Sequence, residues 1–114
     1  MSRLALGFFA VALSGACLAG GNAEQGRAKA GKGIGGQPPC VTCHLSGGSK
    51  ALAPDQPILA GQYYDYLVRA LMDYKSGKRA NPIMGGIAKP LSVKDIEDLS
   101  AYFAGEKSTL HFQR

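Results

Sequence analysis

The chain has 114 residues, enough for one small domain, and its formal net charge is +5. That charge is mild, and no stripe of interleaved aromatic and basic residues accompanies it, so the composition argues against nucleic-acid binding. With no Trp and only four Phe, the chain is expected to form a modest core that gains stability from a bound cofactor, a metal or a disulfide.

The first residues have the composition of a secretory signal peptide. Arg3 is the only early charge, an unbroken apolar run fills residues 4–13, and small residues follow through Gly21. The strictly apolar run is shorter than the ~20 residues that usually span a bilayer. We therefore predict export of the chain to the periplasm.

Cleavage after Ala19 divides the chain into a signal peptide at 1–19 and a mature domain at 20–114. Cleavage after Ala23 is a second option. Two alternatives would keep the protein at a membrane: an uncleaved N-terminal anchor, or lipid attachment to Cys17, whose preceding residues match a lipoprotein signal poorly.

The mature chain is predicted to be all-α, because no stretch alternates as a strand does. A short helix is expected near 23–32, the clearest helix over 62–76, and a final helix from Ser92 to about Gly105. Ser92 with Asp95 three residues later resembles a capping box.

The helices are separated by segments rich in Gly and Pro. Residues 33–39 break the chain before Cys40, residues 45–61 are predicted to be a loop, and residues 78–91 a second loop. A loop of this length in a small domain is usually functional.

The two longer helices each have one apolar face at helical spacing. Gly77 supplies the C-cap of the first of them. The apolar positions of that helix are Tyr63, Leu67, Ala70, Leu71 and Tyr74, and those of the last helix are Ile96, Leu99 and Phe103, flanked by Tyr102.

Cys40, Cys43 and His44 form the C-x-x-C-H pattern of covalent haem attachment. Two thiols three positions apart can each add to one vinyl group of a porphyrin, and the next residue can then offer its imidazole to the iron. A redox disulfide of the thioredoxin type would need a βαβ unit, and a zinc site would need four ligands. Both alternatives fit the sequence less well.

The second axial ligand of such an iron is expected to be Met84. It lies in the predicted loop at 78–91, next to Gly85 and Gly86, which permit close approach to a flat ring. Met84 could instead fill the core, which is the commoner role of methionine. His111 is a rival ligand, in a polar tail beyond the last helix.

The chain resembles the class I cytochromes c, in particular the short bacterial periplasmic type, from about residue 20 to residue 105. The resemblance implies one covalent haem c, with His44 as the proximal and Met84 as the distal iron ligand, and the Pro57 carbonyl accepting the His44 ring N–H. It also implies that Gly26 crosses the last helix near Tyr102. The matching stretches are 40–44, 57–62, 77–84, 91–96 and 101–103.

A six-coordinate iron is closed to substrates, so the expected function is a periplasmic single-electron carrier that is not an enzyme and meets redox protein partners. The alternatives are a fixed cytochrome subunit of a larger dehydrogenase or oxidase, and a haem-based sensor or peroxidase. The apolar wall of the ring is predicted to include Leu59, Leu67, Leu71 and Ile83. A basic ring that steers an acidic partner is predicted at Lys50, Lys75, Lys78, Arg79 and Lys89.

Overall fold

The structure, a computed structural model, describes residues 20–110, so the predicted signal peptide, Cys17 and His111 lie outside the described residues. The all-α prediction is confirmed, with one two-residue strand as the exception. The elements in chain order are α1 (Ala23–Lys32), a 3₁₀ turn (Cys40–Thr42), α2 (Leu45–Gly48), β1 (Lys50–Ala51), α3 (Tyr64–Ser76), α4 (Pro82–Ala88) and α5 (Val93–Gly105).

α1 and α5 cross at close range, as the resemblance implies. A Cβ atom at Gly26 would overlap the backbone carbonyl of Asp98 and would lie 2.8 Å from the Tyr102 Cβ. Only glycine therefore lets the two helices approach this closely. The same crossing brings charged side chains of both helices together.

Asp98 is the centre of that charged cluster and is 1 % exposed. Its carboxylate accepts hydrogen bonds from the Asn22 backbone N–H at 2.7 Å and from Lys29 Nζ at 2.7 Å, and it pairs with Lys94. Lys29 also pairs with Asp95 at 2.8 Å. A buried carboxylate with this many donors ties the start of α1 to α5.

The core lies where α5 packs against α1 and α3. Ile96, Leu99 and Phe103 are buried on the predicted face of α5, and the Tyr102 and Phe103 rings lie 4.8 Å apart between centroids. Ser92 caps α5, and its capping box with Asp95 is confirmed. The buried hydrophobic cluster comprises Ala30, Leu67, Ala88, Leu91, Ile96, Leu99, Tyr102 and Phe103.

The prediction of a second loop at 78–91 is wrong over its centre, because α4 forms there. The Asn81 side chain accepts hydrogen bonds from the N–H groups of Ile83 at 3.0 Å and Met84 at 2.9 Å. Pro82 stands at the first helical position, where it needs no donor. This cap outweighs the helix-breaking tendency of Gly85 and Gly86, so Met84 lies on a short helix.

The first predicted loop, 45–61, also contains some regular structure. The chain turns back after His44, so that His44 pairs with Ala51 and Leu45 with Lys50 in antiparallel bridges. The turn between them includes Ser46 at φ 50° and Gly47 at φ 66°. These bridges fix the backbone next to His44. The Gly and Pro content of this segment predicted a loop but not this pairing.

α3 begins two residues later than predicted and ends as expected at Gly77, which has φ 82°. Tyr63 therefore precedes the helix, and its side chain is 82 % exposed. Its assignment to the apolar face of α3 is wrong, because the chain is still extended at this residue. No helix within residues 20–110 is long and apolar enough to cross a membrane.

Candidate functional site

A cavity of about 530 Å³ lies between the 3₁₀ turn, α3, α4 and α5. This volume falls within the range of about 300–1,000 Å³ that is typical of cofactor sites. Most of its surface is apolar, as expected for a site that holds a flat ring. The four side chains predicted to wall such a ring all line it: Leu59, Leu67, Leu71 and Ile83.

Cys40 and Cys43 both line this cavity, and both are free thiols. The 3₁₀ turn holds them near each other, since the Cys43 N–H donates to the Cys40 carbonyl at 3.2 Å. Burial raises the pKa of the Cys40 thiol, and the neighbouring Cys43 raises it further. The two sulfurs are thus presented to one largely apolar space.

His44 follows the thiols and is only 6 % exposed. Its Nδ1 lies 3.0 Å from the Pro57 carbonyl oxygen. A carbonyl can only accept, so Nδ1 carries the proton and Nε2 keeps its lone pair. Burial lowers the pKa of His44, although the Pro57 contact works in the opposite direction. The imidazole is therefore neutral at pH 7, which is the form that binds a metal.

Met84 is half-buried on α4 and lines the same cavity as the cysteines and His44. Asn81 fixes the first turn of α4 and thereby the backbone that carries Met84. A thioether is a soft ligand that haem iron accepts opposite histidine. The structure therefore brings together all five residues named from the sequence for this site: Cys40, Cys43, His44, Pro57 and Met84.

These residues fit a covalently attached haem better than the two alternatives. Within residues 20–110 there is no group of three or more His, Cys, Asp or Glu side chains that could hold a metal ion alone. The described elements also contain no βαβ unit of the kind a thioredoxin motif needs. By contrast, an apolar cavity with two thiols and a neutral imidazole suits a porphyrin that bonds to sulfur.

The cytochrome c family model matches residues 28–105. The chain belongs to the cytochrome c family. It is 40 % identical to cytochrome c4 of Thiocapsa roseopersicina over 89 residues, which is 78 % of this chain and 42 % of that protein. It is 38 % identical over 65 residues to a thiosulfate dehydrogenase electron acceptor of Thiomonas intermedia, across 57 % of this chain and 30 % of that protein.

The fold agrees with a solved member of the family. The crystal structure of reduced recombinant cytochrome c4 from Pseudomonas stutzeri superposes with a TM-score of 0.70 at 36 % identity, covering 77 % of this chain and 52 % of that one. The chain spans about half the length of these cytochrome c4 relatives or less. Membership of the cytochrome c family supports covalently bound haem c.

Two further residues of this cytochrome c domain line the cavity. Arg79 was expected only as part of a basic ring, and of the five residues in that ring it alone lines the cavity. Ser100 was not predicted at all; it is fully buried on α5, and its hydroxyl has no hydrogen-bond partner among the described residues. No pattern in the sequence predicts that Ser100 lines the cavity.

Proposed function

We propose that the protein is a periplasmic carrier of single electrons with one haem c, attached through Cys40 and Cys43 and ligated by His44 and Met84. One observation carries the proposal: the two thiols, the imidazole and the thioether all line one largely apolar cavity. Haem iron bound there would supply one-electron cycling between its ferric and ferrous states.

The chain's own residues set the properties of such an iron. The Pro57 carbonyl holds the His44 ring in one tautomer and increases the basicity of the opposite nitrogen. The Met84 thioether favours the ferrous state, which raises the reduction potential. The apolar side chains at Leu59, Leu67 and Leu71 exclude water, which raises it further.

A carrier rather than an enzyme is the function that this ligand set supports. With His44 and Met84 both holding the iron, no coordination position would be left for a substrate. The catalytic alternative, a peroxidase or gas sensor, requires an open sixth position, and it would be favoured only if Met84 were not bound to the iron.

A second candidate is a cytochrome unit that serves a dehydrogenase. What favours it is the similarity to a protein named as a thiosulfate dehydrogenase electron acceptor. In both cases the domain exchanges electrons with redox protein partners. The mass of the mature protein in solution distinguishes a free carrier from a subunit of a larger complex.

The first test is expression of the full chain together with haem-maturation machinery. We expect a coloured protein whose mass exceeds that of the mature polypeptide by one haem, even after denaturation. N-terminal sequencing of the periplasmic fraction should begin at residue 20. A colourless product with the mass of its amino acids alone would refute the proposal.

The second test concerns the distal ligand. Met84→Ala should abolish the iron–sulfur charge-transfer band of the ferric protein. It should also lower the midpoint potential by roughly 0.1 V or more, since axial ligands set haem potentials over about 0.8 V. Met72→Ala is the matched control, because Met72 lies partly exposed on α3 and does not line the cavity. If the band survives in Met84→Ala, another residue is the ligand.

A further inference from the structure

The part of the cavity wall that α5 contributes contains one polar side chain. Three residues of α5 line the cavity, namely Leu99, Ser100 and Phe103, and all three are buried. Leu99 and Ser100 lie four and three residues before Phe103, so the three side chains share one face of the helix. The Ser100 hydroxyl therefore stands in a part of the wall that is buried and otherwise apolar.

The Ser100 hydroxyl is also unpaired. Its Oγ is the only buried polar side-chain atom within residues 20–110 that has no hydrogen-bond partner. The hydroxyls of Ser49 and Ser76, by contrast, each donate to a backbone carbonyl three residues earlier. A serine inside a helix can donate to the carbonyl four residues earlier, which here belongs to Ile96, but Ser100 makes no such bond. Because an unpaired buried hydroxyl lowers stability, we look for its role at the site and not in folding.

An unpaired hydroxyl is a dipole that can turn. The hydrogen of a serine hydroxyl rotates about the Cβ–Oγ bond to suit its surroundings, and no hydrogen bond fixes it at Ser100. Oxidation of a haem in this cavity from ferrous to ferric adds one positive charge. A free hydroxyl turns its oxygen toward such a charge, and the apolar side chains around it screen this attraction less than water would.

We propose that the Ser100 hydroxyl stabilises the ferric state of the haem as a rotatable dipole and thereby lowers its reduction potential. The inference rests on the proposed function, since it assigns a role within the same site. The iron loses or gains one electron, while the hydroxyl keeps its proton, forms no bond to the iron and only rotates. Ser100 thus opposes the Met84 thioether, which raises the potential, and sets the balance between the two states of the carrier.

The experiment measures midpoint potentials of the full chain matured with haem and compares Ser100→Ala with Ser76→Ala. Ser100→Ala removes the hydroxyl and adds no volume. We expect its ferric-to-ferrous ratio at fixed potential to fall roughly threefold, which for one electron is a rise of about 28 mV. Its melting temperature should not fall, because no hydrogen bond is lost. Ser76 is exposed at the end of α3 and does not line the cavity, so Ser76→Ala should keep the potential of the parent.

A second pair of variants separates the hydroxyl from the size of the side chain. Ser100→Thr and Ser100→Val both place a branched side chain of nearly the same shape at this position, and only Ser100→Thr keeps a hydroxyl. Any strain from the added methyl group is therefore common to both. We expect the potential of Ser100→Val to exceed that of Ser100→Thr by about as much as the potential of Ser100→Ala exceeds that of the parent.

Equal potentials in the parent and Ser100→Ala would overturn the inference, and a lower melting temperature alongside them would assign the hydroxyl to a hydrogen bond that stabilises the fold. A lower potential in Ser100→Ala would overturn it as well, since the hydroxyl would then favour the ferrous state. So would equal potentials in Ser100→Thr and Ser100→Val, which would attribute the shift in Ser100→Ala to packing. All these outcomes are measured on haem-loaded protein. Failure of the parent chain to attach haem would instead refute the proposed function.

Discussion

Where α1 crosses α5, the chain supplies every contact itself, whereas the space between the 3₁₀ turn, α3 and α4 is a cavity of about 530 Å³. At the crossing, Gly26 fits against backbone and Asp98 is fully paired. At the cavity, Leu71 and Met84 face a space that protein atoms do not fill. One region is complete as a polypeptide, and the other is shaped for a prosthetic group.

The two regions of this small domain are therefore stabilised in different ways. The helix crossing uses close backbone approach and charge pairing, neither of which needs large side chains. The rest of the core has no Trp, so a group that fills the cavity adds apolar contacts to a modest protein core. Three perturbations distinguish the two regions, and their expected effects differ in size.

The largest effect is expected from preventing haem attachment with Cys40→Ser combined with Cys43→Ser. At the cost of a buried void, about 24 cal/mol per Å³, leaving 530 Å³ unfilled corresponds to roughly 13 kcal/mol as an upper bound. That cost is comparable to the whole stability of a small domain. We expect the variant to lose its cooperative thermal transition when followed by circular dichroism at 222 nm, the usual helix signal.

Thr42→Ser is the matched control, since it lies in the same 3₁₀ turn and leaves both thiols in place. It should retain the haem and melt cooperatively. A double serine variant that stayed folded with the stability of the parent would show that the cavity closes without a ligand, and the contrast between the two regions would disappear.

The second perturbation overfills the helix crossing with Gly26→Leu. Leucine has a high helix propensity, so any loss of stability reflects the size of its side chain and not a weaker helix. Its Cβ atom would overlap the Asp98 backbone carbonyl. We expect a loss of roughly 3 kcal/mol in the free energy of unfolding, because a backbone contact cannot be relieved by a change of rotamer. Denaturant unfolding of the haem-loaded protein measures it.

Gly31→Ala provides the matched control on the same helix. A Cβ atom at Gly31 meets nothing within 4 Å, so alanine should stabilise the protein by roughly 0.5–1 kcal/mol through helix propensity. Equal effects of the two substitutions would show that α1 does not pack closely on α5.

The third and smallest effect concerns the pH dependence of the crossing. Burial by itself raises the pKa of Asp98, but the Asn22 N–H, Lys29 and Lys94 more than offset it and hold the pKa at about 2. Because this lies below the ordinary value of 3.8, the stabilisation is present above about pH 4 and is lost as the pH falls towards 2. The shift corresponds to about 2 kcal/mol.

Asp98→Asn should therefore be less stable at pH 6 by about 2 kcal/mol or somewhat more, and the difference from the parent should shrink between pH 4 and pH 2. Free energies of unfolding at each pH provide the measurement. Asp65→Asn, in the exposed first turn of α3, serves as the control and should follow the parent. If the difference in the free energy of unfolding stayed constant across this range, folding would not lower the pKa of Asp98.

Much of the fold could be predicted from the sequence because helix signals are local. Apolar spacing, the Ser92 capping box and Gly77 located α3 and α5, and α1 was found with its bounds. The prediction of a loop around Met84 was wrong because the Asn81 cap competes with two glycines, and their relative strength depends on packing against α3. Tyr63 was misplaced because periodicity does not specify where a helix begins.

The sequence by itself determined the chemistry of this protein, since the C-x-x-C-H pattern brings two thiols and an imidazole together through bonds along the chain. Only the tertiary structure decided what surrounds them. Met84, Arg79 and Ser100 lie 35 or more residues from His44 in sequence, and the packing of α3, α4 and α5 brings them to one cavity. The burial and pairing of Asp98 likewise depend on the distance between two helices, which no local pattern encodes.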